Sequence, residues 1–537
     1  MTITTPAEAP AQTLISDNFV DEIRHAAGAE NVMEASHVRH LYTDVYRQKA
    51  SPLAVVTIHD TEQLQAVMRV CYKEHVGVSV RGGGASYTDG YLIENGPQVL
   101  LDMSKMDRIL EINEQDAYVT VEAGVTWAVL KDTLAEKGWR TPFWGPFSGM
   151  HATVGGSVSQ NTISHGSGAY GISAQSVQAV TVVLANGDLL ATGSAGAGST
   201  PFCRHFGPDL TGLFTGDCSA LGVKATVTLP LIRPRPAHQT VSFAFNDFET
   251  MHESMRRISL ERLEDTHFSL DGALSQGQIA RQDNAGQVVK MALSILKSSP
   301  SYWSGIKQLI TSAVSARKVI SQSPYMTHYI VEGVNDAEAK SRIHRIREIN
   351  QLFGQEIPAT VPAVVRGMPF APFYNTLGPA GERWVPLHGI LPHSAVAAFH
   401  KELEAFYAAR KNKMDELGIW YGGMFATVAS SGFLYEIALY WPDEITDYHR
   451  QVVPADYLSK LPVYPANHIA RKYVHELKSA LTDLFVKHGA INFQLGKAYP
   501  YRDRLQPVTL NMVDALKAHV DDKGILAPAN LGFGDKA

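Results

Sequence analysis

The chain has 537 residues, of which 45% are hydrophobic, and its formal net charge is -6 with an isoelectric point near 6.4. Single hydrophobic cores stop growing at roughly 250–300 residues, so two or three structural units are expected. An acidic balance without clustered Lys and Arg predicts that nucleic acid is not a partner, because such binding depends on basic patches. The widely spaced Cys71, Cys203 and Cys218 fit neither a disulfide framework nor a thiolate zinc site.

The amino-terminal residues 1–16 are polar and rich in Thr, Ala and Pro, and they lack the basic patch and apolar run of a secretory signal. No stretch approaches about 20 uninterrupted apolar residues, so no membrane span is predicted. Together with the sparse cysteines, these features predict a cytoplasmic protein. We expect residues 1–50 to form an N-terminal helical segment packed on the domain that follows.

Residues 51–236 alternate short β-branched runs with amphipathic segments. A strand predicted at LAVVTI is followed by a helix at DTEQLQAVMRVCYKEH, for which Asp60 and Thr61 supply an N-cap pattern. The strand VGVSV then enters a glycine-rich turn. Further strands are predicted at QVLLDM, AYVTVEAG, VQAVTVVLANGDLLATG and VKATVTLPL, and a second helix at TWAVLKDTLAEKG. This alternation is typical of an α+β nucleotide-binding domain.

The stretch IRPRP, residues 232–236, has the proline density of a domain boundary, because proline fixes φ and cannot extend a β-ladder. Residues 237–489 then alternate strand candidates, such as QTVSFAF and FLYEIALYW, with long helices such as AVAAFHKELEAFYAARKNKMDELG. We predict a second, mixed α/β domain there. Residues 490–537 contain a terminal helix and a Pro- and Gly-rich tail, which are too short to be a domain of their own.

Glycine-bearing loops recur in the first of these domains. The first loop, RGGGASY at residues 81–87, directly follows a strand, and its glycines let backbone N–H groups converge on an anion such as a pyrophosphate. The second, residues 146–161, is rich in small residues and hydroxyls that can lie flat against a bulky planar ligand. The third is FTGDCSALGV, residues 214–223. Each loop alone could be a structural turn, but their combination indicates one extended ligand.

The order of RGGGASY, ATVGGSVSQN with a downstream YG, VVLANGDLLATG, FTGDCSALGV and a C-terminal DDKGILAPANLG resembles the vanillyl-alcohol oxidase and p-cresol methylhydroxylase (PCMH) family of FAD-linked oxidases. The resemblance implies an α+β fold, with a two-subdomain PCMH-type FAD-binding domain over residues 51–236. It also implies a mixed α/β cap (substrate) domain with a central antiparallel sheet over residues 237–489, and a segment 490–537 that returns to the FAD-binding domain. The implied cofactor contacts are Arg81, Gly82, Gly83, Gly84, Ala85, Ser86, Tyr87, Pro146, Gly149, Gly155, Gly156, Ser159, Asn161, Tyr170, Gly222, Val223 and Asn530.

The sequence departs from the family at the position that often carries the flavin covalently. Members of the family often attach FAD through a histidine of the first loop, but Ala85 occupies that place here. Other relatives attach it from the cap through His or Tyr, and Tyr435 in TVASSGFLYEIALYW lies near that region. A buried strand tyrosine is the simpler interpretation of Tyr435, so the sequence predicts that FAD is held non-covalently.

The segment KAYPYRDRL supplies the predicted reactive groups. Tyr501 and Arg502 resemble a Tyr-Arg pair that phenol-oxidising relatives carry before the terminal helix, and a guanidinium beside a phenol favours the phenolate. A solvated ion-pair cluster is the structural alternative. The acidic residue that such relatives place at the flavin-facing loop is missing, and His151 could replace it as the base. We predict Tyr501, Arg502 and His151 as catalytic residues.

Predicted substrate contacts are His388, Tyr435 and Tyr499. The spacing of His388 and His393 also suggests a metal site, but the Gly-Asp-Gly-Asn type loop of the metal-binding hydroxy-acid dehydrogenases is absent, so no metal is predicted. The favoured function is an FAD-dependent oxidoreductase, an oxidase or a dehydrogenase, that takes a hydride from a carbinol carbon or from a benzylic or allylic carbon of a small, aromatic or phenolic substrate. A 2-hydroxy-acid dehydrogenase, with Arg502 or Arg504 on the carboxylate, is one alternative.

A further alternative is a non-redox flavin protein or an enzyme like the ether-lipid synthases, which would need a phosphate clamp in the cap. The expected partners are a small-molecule donor and an electron acceptor, which could be oxygen, a quinone or a redox protein. The resemblance also implies a homodimer.

Overall fold

The computed structural model describes residues 15–94, 96–281 and 323–534. Its helices are Phe19–Ala27, Thr61–Lys73, Trp127–Glu136, Val154–Gln160, Ser167–Tyr170, Leu210–Leu213, Phe248–Leu260, Gly272–Arg281, Asp336–Asn350, Thr360–Gly367, His393–Ala408, Lys411–Glu416, Asp447–Val452, Ala455–Leu458, His468–Lys487 and Pro507–Val520. Within these described ranges, no helix has the length and apolar character needed to span a membrane.

The strands are β1 (Val32–Met33), β2 (Ala54–Thr57), β3 (Gly77–Arg81), β4 (Gln98–Asp102), β5 (Ile109–Asn113), β6 (Tyr118–Glu122), β7 (Ala179–Val183), β8 (Leu189–Ala191), β9 (Val223–Pro230), β10 (Ala237–Phe245), β11 (Thr266–Asp271), β12 (Tyr325–Gly333), β13 (Gln355–Ile357), β14 (Arg383–Pro392), β15 (Trp420–Val428) and β16 (Gly432–Trp441). They form three sheets in the described part of the chain.

The first sheet has the order β1-β2-β4-β3, in which β2, β4 and β3 run parallel. The helix that joins β2 to β3 begins where the sequence predicts, because the Asp60 carboxylate accepts a hydrogen bond from the backbone N–H of Gln63 at 2.8 Å. This helix and Phe19–Ala27 share one buried cluster, in which Phe19 and Ile23 meet Leu64. Part of the predicted N-terminal segment therefore packs on this sheet.

The second sheet is antiparallel, with the order β5-β6-β9-β7-β8, and its core includes Trp127 and Phe143. The two sheets confirm the predicted α+β nucleotide-binding fold with two subdomains. Strand β9 ends at Pro230 and β10 of the next sheet begins at Ala237, so the proline-rich segment links two different sheets. The exact limits of the domains stay a prediction.

The third sheet is the predicted central antiparallel sheet of the cap, with the order β13-β10-β12-β11-β15-β16-β14. Helices pack on one of its faces and bury a large apolar cluster that includes Phe248, Ile343, Phe399 and Leu477. The helix predicted over residues 395–418 is instead two helices, His393–Ala408 and Lys411–Glu416. The break lets Met414 enter the same core beside β15, although neither proline nor glycine marks it in the sequence.

The C-terminal segment returns to the first sheet, as expected. The backbone N–H of Val78 on β3 donates to the carbonyl of Ile525 at 2.7 Å, and the N–H of Ala527 donates to the carbonyl of Val78 at 2.8 Å. This pairing covers the free edge of β3. Further along, the buried Asn530 amide donates to the carbonyls of Gly90 at 2.9 Å and Cys218 at 2.7 Å. Asn530 therefore connects the tail to two loops of the part of the chain that precedes the cap.

We predict that Asn530→Ala destabilises the protein by about 1–3 kcal/mol, because it removes an amide donor from two carbonyls, of which that of Gly90 still accepts from Lys497 at 3.3 Å. The measurement is the shift of the thermal unfolding transition, followed by circular dichroism. Asn511→Ala, on an exposed face of helix Pro507–Val520, is the control and should leave the transition unchanged. Equal transitions for both variants would show that the two hydrogen bonds contribute nothing measurable.

Candidate active site

A cavity of about 860 Å³ lies between the glycine-bearing loops and the face of the seven-stranded sheet that is not covered by its core helices. The loop side is rich in small and hydroxyl-bearing residues. The sheet side is rich in aliphatic and aromatic side chains. The predicted cofactor residues that line it are Gly82, Gly83, Gly84, Ala85, Ser86, Tyr87, Pro146, Gly155, Gly156 and Ser159.

The first loop leaves β3 and is held from both sides. The Arg81 guanidinium donates to the carbonyl of Gly82 at 3.0 Å and lies 3.4 Å from the Asp102 carboxylate. Gly84 has φ +72°, a left-handed conformation that favours glycine, and the hydroxyl of the buried Tyr448 donates to its carbonyl at 2.9 Å. Contacts with the protein alone therefore hold the loop in place, without a bound ligand.

The glycines at 82 and 83 are required by contact between the first two loops. A Cβ on Gly83 would lie 1.6 Å from the carbonyl oxygen of His151, and one on Gly82 would lie 2.4 Å from the Thr153 hydroxyl. A side chain at Gly83 could therefore not be accommodated in this arrangement. Substitution of Gly83 would instead separate the two loops, because backbone atoms cannot give way as a flexible side chain can.

The second loop leads into helix Val154–Gln160, which begins where the Thr153 hydroxyl accepts a hydrogen bond from the backbone N–H of Gly156 at 3.2 Å. Gly155 packs closely on the FAD-binding domain, since its Cβ would lie 2.5 Å from the Cβ of Ala123. Gly156 borders the cavity, and a Cβ there would meet only the Thr153 hydroxyl, at 3.1 Å. Gly156 is therefore the glycine whose missing side chain leaves space for a ligand.

The third loop, which the sequence predicts as a ligand loop, brings Cys218 and Ser219 to the cavity, although neither residue was predicted as a cofactor contact. Both are non-glycine residues with positive φ, at +49° and +61°. The N–H of Cys218 donates to the carbonyl of Ser159 at 2.9 Å, which joins this loop to the second one. Consecutive non-glycine residues with positive φ are uncommon, and such residues cluster at functional sites. The sequence around Cys218 and Ser219 contains no pattern that predicts this conformation.

Several predicted cofactor residues support the loops without lining the cavity. Gly149 packs on the Phe370 ring, Asn161 ends the helix with φ +50°, and Tyr170 lies under the Arg140 guanidinium. Val223 belongs to the core, and a Cβ on Gly222 would touch Val182 and Phe214. The residues that do not line the cavity are Arg81, Gly149, Asn161, Tyr170, Gly222, Val223 and Asn530.

The structure does not bring Tyr501 and Arg502 to the cavity. The Arg502 guanidinium binds the Asp514 carboxylate with two contacts, at 2.9 and 2.6 Å, and Tyr501 packs on an apolar cluster with Leu531 and Phe533. Burial raises the pKa of Tyr501, which disfavours a phenolate. This corrects the expected catalytic pair. Arg502 does form an ion pair, but with Asp514 of the terminal helix and not within the Arg-Asp-Arg turn that the structural alternative expected.

His151 lies at the border of the cavity, but its ring is covered by another side chain. The ring stacks on Phe373, with centroids 4.0 Å apart, and Phe373 rather than His151 lines the cavity. Burial, and then the charge of Arg81, lower the pKa of His151. The imidazole is therefore neutral at physiological pH, as a base would need to be, but it does not face the cavity space.

His388 and Tyr499 form a buried pair directly behind the cavity wall. The His388 backbone N–H donates to the Tyr499 hydroxyl at 3.1 Å, and the His388 ring lies 4.0 Å from that of Phe493, which lines the cavity. Burial, and then the charge of Lys478, lower the pKa of His388 to about 3. His388 does not meet His393, which instead forms a hydrogen bond with His252 at 2.9 Å.

Tyr435 points away from the cavity, because alternate residues of a strand lie on opposite faces of a sheet. Phe433, Tyr435, Ile437 and Leu439 enter the helix-covered core, where the Tyr435 hydroxyl lies 3.0 Å from His400 Nδ1. The residues between them line the cavity, namely Leu434, Glu436, Ala438 and Tyr440. Tyr435 is thus placed in the core and not at the substrate.

Glu436 is the residue that the sequence analysis missed. Among the described residues that line the cavity, Glu436 alone carries a carboxyl group. Burial raises the pKa of this group to about 7. The signal was present in GFLYEIALYW, where one Glu interrupts a run of apolar residues in a strand. Reading that strand with a period of two would have placed Glu436 on the face opposite Tyr435.

The residues present fit an FAD molecule. The glycine backbones of the first two loops and nearby hydroxyls offer donors for phosphates, while apolar groups further along suit a planar ring. The hydroxyls are those of Ser86, Thr153, Ser157, Ser159 and Ser219, and the apolar groups include Ala85, Pro146, Phe147 and Trp384. Both kinds of surface border one continuous cavity.

Comparison with known proteins agrees with this fit. Residues 52–193 match the family described as "FAD binding domain". The glycolate oxidase subunit GlcD of Bacillus subtilis (strain 168) is 30% identical over 248 residues, which are 46% of this chain and 51% of that protein. The 4-cresol dehydrogenase [hydroxylating] flavoprotein subunit of Pseudomonas putida is 31% identical over 231 residues, 40% of this chain and 43% of that protein. The matches thus span about half of each curated relative.

The whole fold also has counterparts among solved structures. The 4-ethylphenol oxidase from Gulosibacter chungangensis, in its isoeugenol complex, superposes with a TM-score of 0.69 at 16% identity and covers 99% of both chains. Identity this low shows a shared fold and nothing more. Residues 52–193 are therefore an FAD binding domain, carried on a chain with the fold of the PCMH-type FAD-linked oxidases.

Proposed function

We propose that this chain is an FAD-dependent oxidoreductase that takes a hydride from a carbinol or benzylic carbon of a small, apolar and aromatic donor. The observation that carries the proposal is the composition of the cavity. Its loop wall suits FAD, and its sheet wall is built from apolar side chains. Those side chains include Phe268, Leu270, Met326, Met424, Leu434 and Tyr440, and the neighbouring helices add Leu274, Val361 and Val365.

The loop residues would hold the cofactor and orient it toward this wall. Gly82 to Ser86 and helix Val154–Gln160 would bind the phosphates, because they present backbone donors beside Ser86 and Ser157. Bound FAD supplies a two-electron acceptor. The apolar wall would bind the donor and exclude water from the space between donor and cofactor.

The charge of the lining argues against a carboxylate-bearing donor. Among the described residues that line the cavity, Lys224 is the single Lys or Arg. Its ammonium group is buried and lies 2.5 Å from the Asp217 carboxylate. Arg502 binds Asp514, and Arg504 donates to the carbonyl of Ala490 at 2.7 Å. A 2-hydroxy acid or a phosphorylated substrate would need a free cationic clamp on this wall.

The glycolate oxidase relative nevertheless keeps the hydroxy-acid dehydrogenase as the second candidate. Anaerobic flavin reduction by a series of benzylic alcohols, phenols and aliphatic 2-hydroxy acids separates the two. The proposal predicts reduction by an aromatic donor and none by the hydroxy acids. Faster reduction by a hydroxy acid than by every aromatic donor would replace it. The electron acceptor, whether oxygen, a quinone or a redox protein, is then identified by reoxidation of the reduced flavin.

The size of the sheet wall gives a sharper form of the same test. Met424→Trp should lower kcat/KM for a bulky aromatic donor by about tenfold or more relative to a small one, because the indole fills space that the donor occupies. Met512→Trp, at a methionine that is 72% exposed, is the matched control and should change neither value. An equal effect on both donors would show that Met424 does not bound the substrate.

We infer that FAD is held non-covalently. Ala85 offers no nucleophile at the first loop, and the Tyr435 hydroxyl lies in the core beside His400, on the opposite face of the sheet from the cavity. Acid precipitation should therefore release FAD into the supernatant. A pellet that keeps the yellow colour would contradict this inference, and peptide mapping of the flavin-bearing fragment would then identify the attachment residue.

We predict that Gly156→Glu abolishes FAD binding while the protein stays folded, because the new side chain enters the cavity and meets no backbone atom outside its own helix. FAD content and circular dichroism are measured together. Ala197→Glu, at an exposed position of the same domain, is the control and should keep both. Gly83→Ala should lose both FAD and stability, because its Cβ meets the His151 carbonyl. Normal FAD content in Gly156→Glu would contradict the assigned binding wall.

A further inference from the structure

A glutamate and a histidine of the seven-stranded sheet line the cavity, Glu436 on β16 and His328 on β12. Burial lowers the pKa of His328 to about 3, so His328 is neutral at physiological pH. Pairing between strands places Met326 beside Leu270, Leu270 beside Met424, and Met424 beside Glu436. These four residues form a row across β12, β11, β15 and β16, and all of them line the cavity. An apolar donor lying along the row would reach a carboxyl group at one end.

Within the described ranges, burial alone raises the pKa of the Glu436 carboxyl group, and no hydrogen bond or ion pair to it contributes. The neighbouring titratable groups are His388, its partner across β14, and the hydroxyls of Tyr87 on the first loop and Tyr499 on the C-terminal segment. The pKa of Tyr87 and that of Tyr499 are both raised, mainly by burial and also by the negative charge of Glu436.

An enclosed carboxyl group without a partner costs stability, and a leucine or glutamine would fit the strand at lower cost. The buried Asp217 shows the usual arrangement, since its carboxylate is paired with Lys224 at 2.5 Å. Glu436 instead faces the space that a donor would occupy, and this is typical of a functional carboxyl group.

We propose that Glu436 is the catalytic acid-base residue, whose carboxylate accepts the hydroxyl proton of the donor as the carbinol carbon loses its hydride. This inference rests on the proposed function. The donor's O–H bond breaks and its proton binds a Glu436 oxygen. The carbinol hydrogen leaves with the electron pair of the C–H bond as a hydride, which would pass to the bound FAD, and the pair left on the donor oxygen forms the C=O bond. The donor is oxidised by two electrons and FAD is reduced. Glu436 releases the proton to solvent before the next turnover.

The protonation state of Glu436 gives the expected pH dependence. Burial raises its pKa from an ordinary value near 4.5 to about 7, so the carboxylate that accepts a proton prevails only above that pH. The rate of flavin reduction by an alcohol should therefore rise with pH through about 7 and then level off. His388 cannot produce this rise, because burial, and then the charge of Lys478, lower its pKa to about 3.

The test compares Glu436→Gln with Glu264→Gln. Glu264 is a matched control, because burial also raises its pKa to about 7, but it lies outside the cavity beside Thr427 and His267. Glu436→Gln should keep its FAD and slow anaerobic reduction by about 10²–10⁴-fold, with no rise near neutral pH. Glu264→Gln should keep the wild-type rate and profile. Glu436→Asp should restore the pH dependence in part.

Thermal unfolding supplies a readout that does not depend on turnover. Between pH 4.5 and about 7 the folded protein keeps a proton on Glu436 that the unfolded chain releases, so stability falls as pH rises through this window. Glu436→Gln removes this loss. The Tm of Glu436→Gln minus the Tm of the wild type should therefore increase from pH 5 to pH 8, when both proteins are saturated with FAD.

Two results would overturn the inference. One is reduction of Glu436→Gln at the wild-type rate with the wild-type pH profile, and the other is a Tm difference that does not change between pH 5 and pH 8. Failure of the proposed function has a different signature, since the wild-type flavin would then not be reduced by any aromatic alcohol, whatever residue stands at 436.

Discussion

The alternation of side chains along the seven-stranded sheet is the constraint on which the rest of this molecule depends. Strands β12, β14, β15 and β16 send one set of residues into the helix-covered core and residues of the alternate set into the cavity, because successive side chains of a strand point to opposite faces. In β16, Tyr435 is fixed in the core while Glu436 faces the cavity. A register slip of one residue would exchange these roles and would bury a carboxyl group in the core.

The opposite wall depends on close contact between loops. Gly83 lies against the His151 carbonyl, Cys218 donates to Ser159, and Asn530 binds the carbonyls of Gly90 and Cys218. The three glycine-bearing loops and the tail therefore support one another, and this is a sufficient physical reason for their occurrence together. Because the loops of this wall are already ordered, the binding of a cofactor costs little free energy for ordering them.

Much of the fold could be predicted from the sequence. The strands of the FAD-binding domain, the Asp60 cap and the antiparallel cap sheet follow from local periodicity and turn residues. The first loop and Gly156 were also placed correctly on the cavity. What could not be predicted depends on pairing between distant segments. The sequence does not show that Arg502 binds Asp514, or that Tyr435 and His400 meet in the core. The position of Glu436 on the face opposite Tyr435 could have been predicted, because side chains alternate along a strand.

The account requires that FAD and an apolar donor share one cavity, with the donor between the cofactor and the sheet. A crystal structure of the FAD-loaded protein with a phenol that is not oxidised tests this most directly. We predict that FAD lies along residues 82–86 and Gly156, and that the phenol ring contacts Leu270 and Met424 with its hydroxyl toward Glu436. A phenol bound elsewhere, or a cofactor ring that does not face this sheet, would contradict the account.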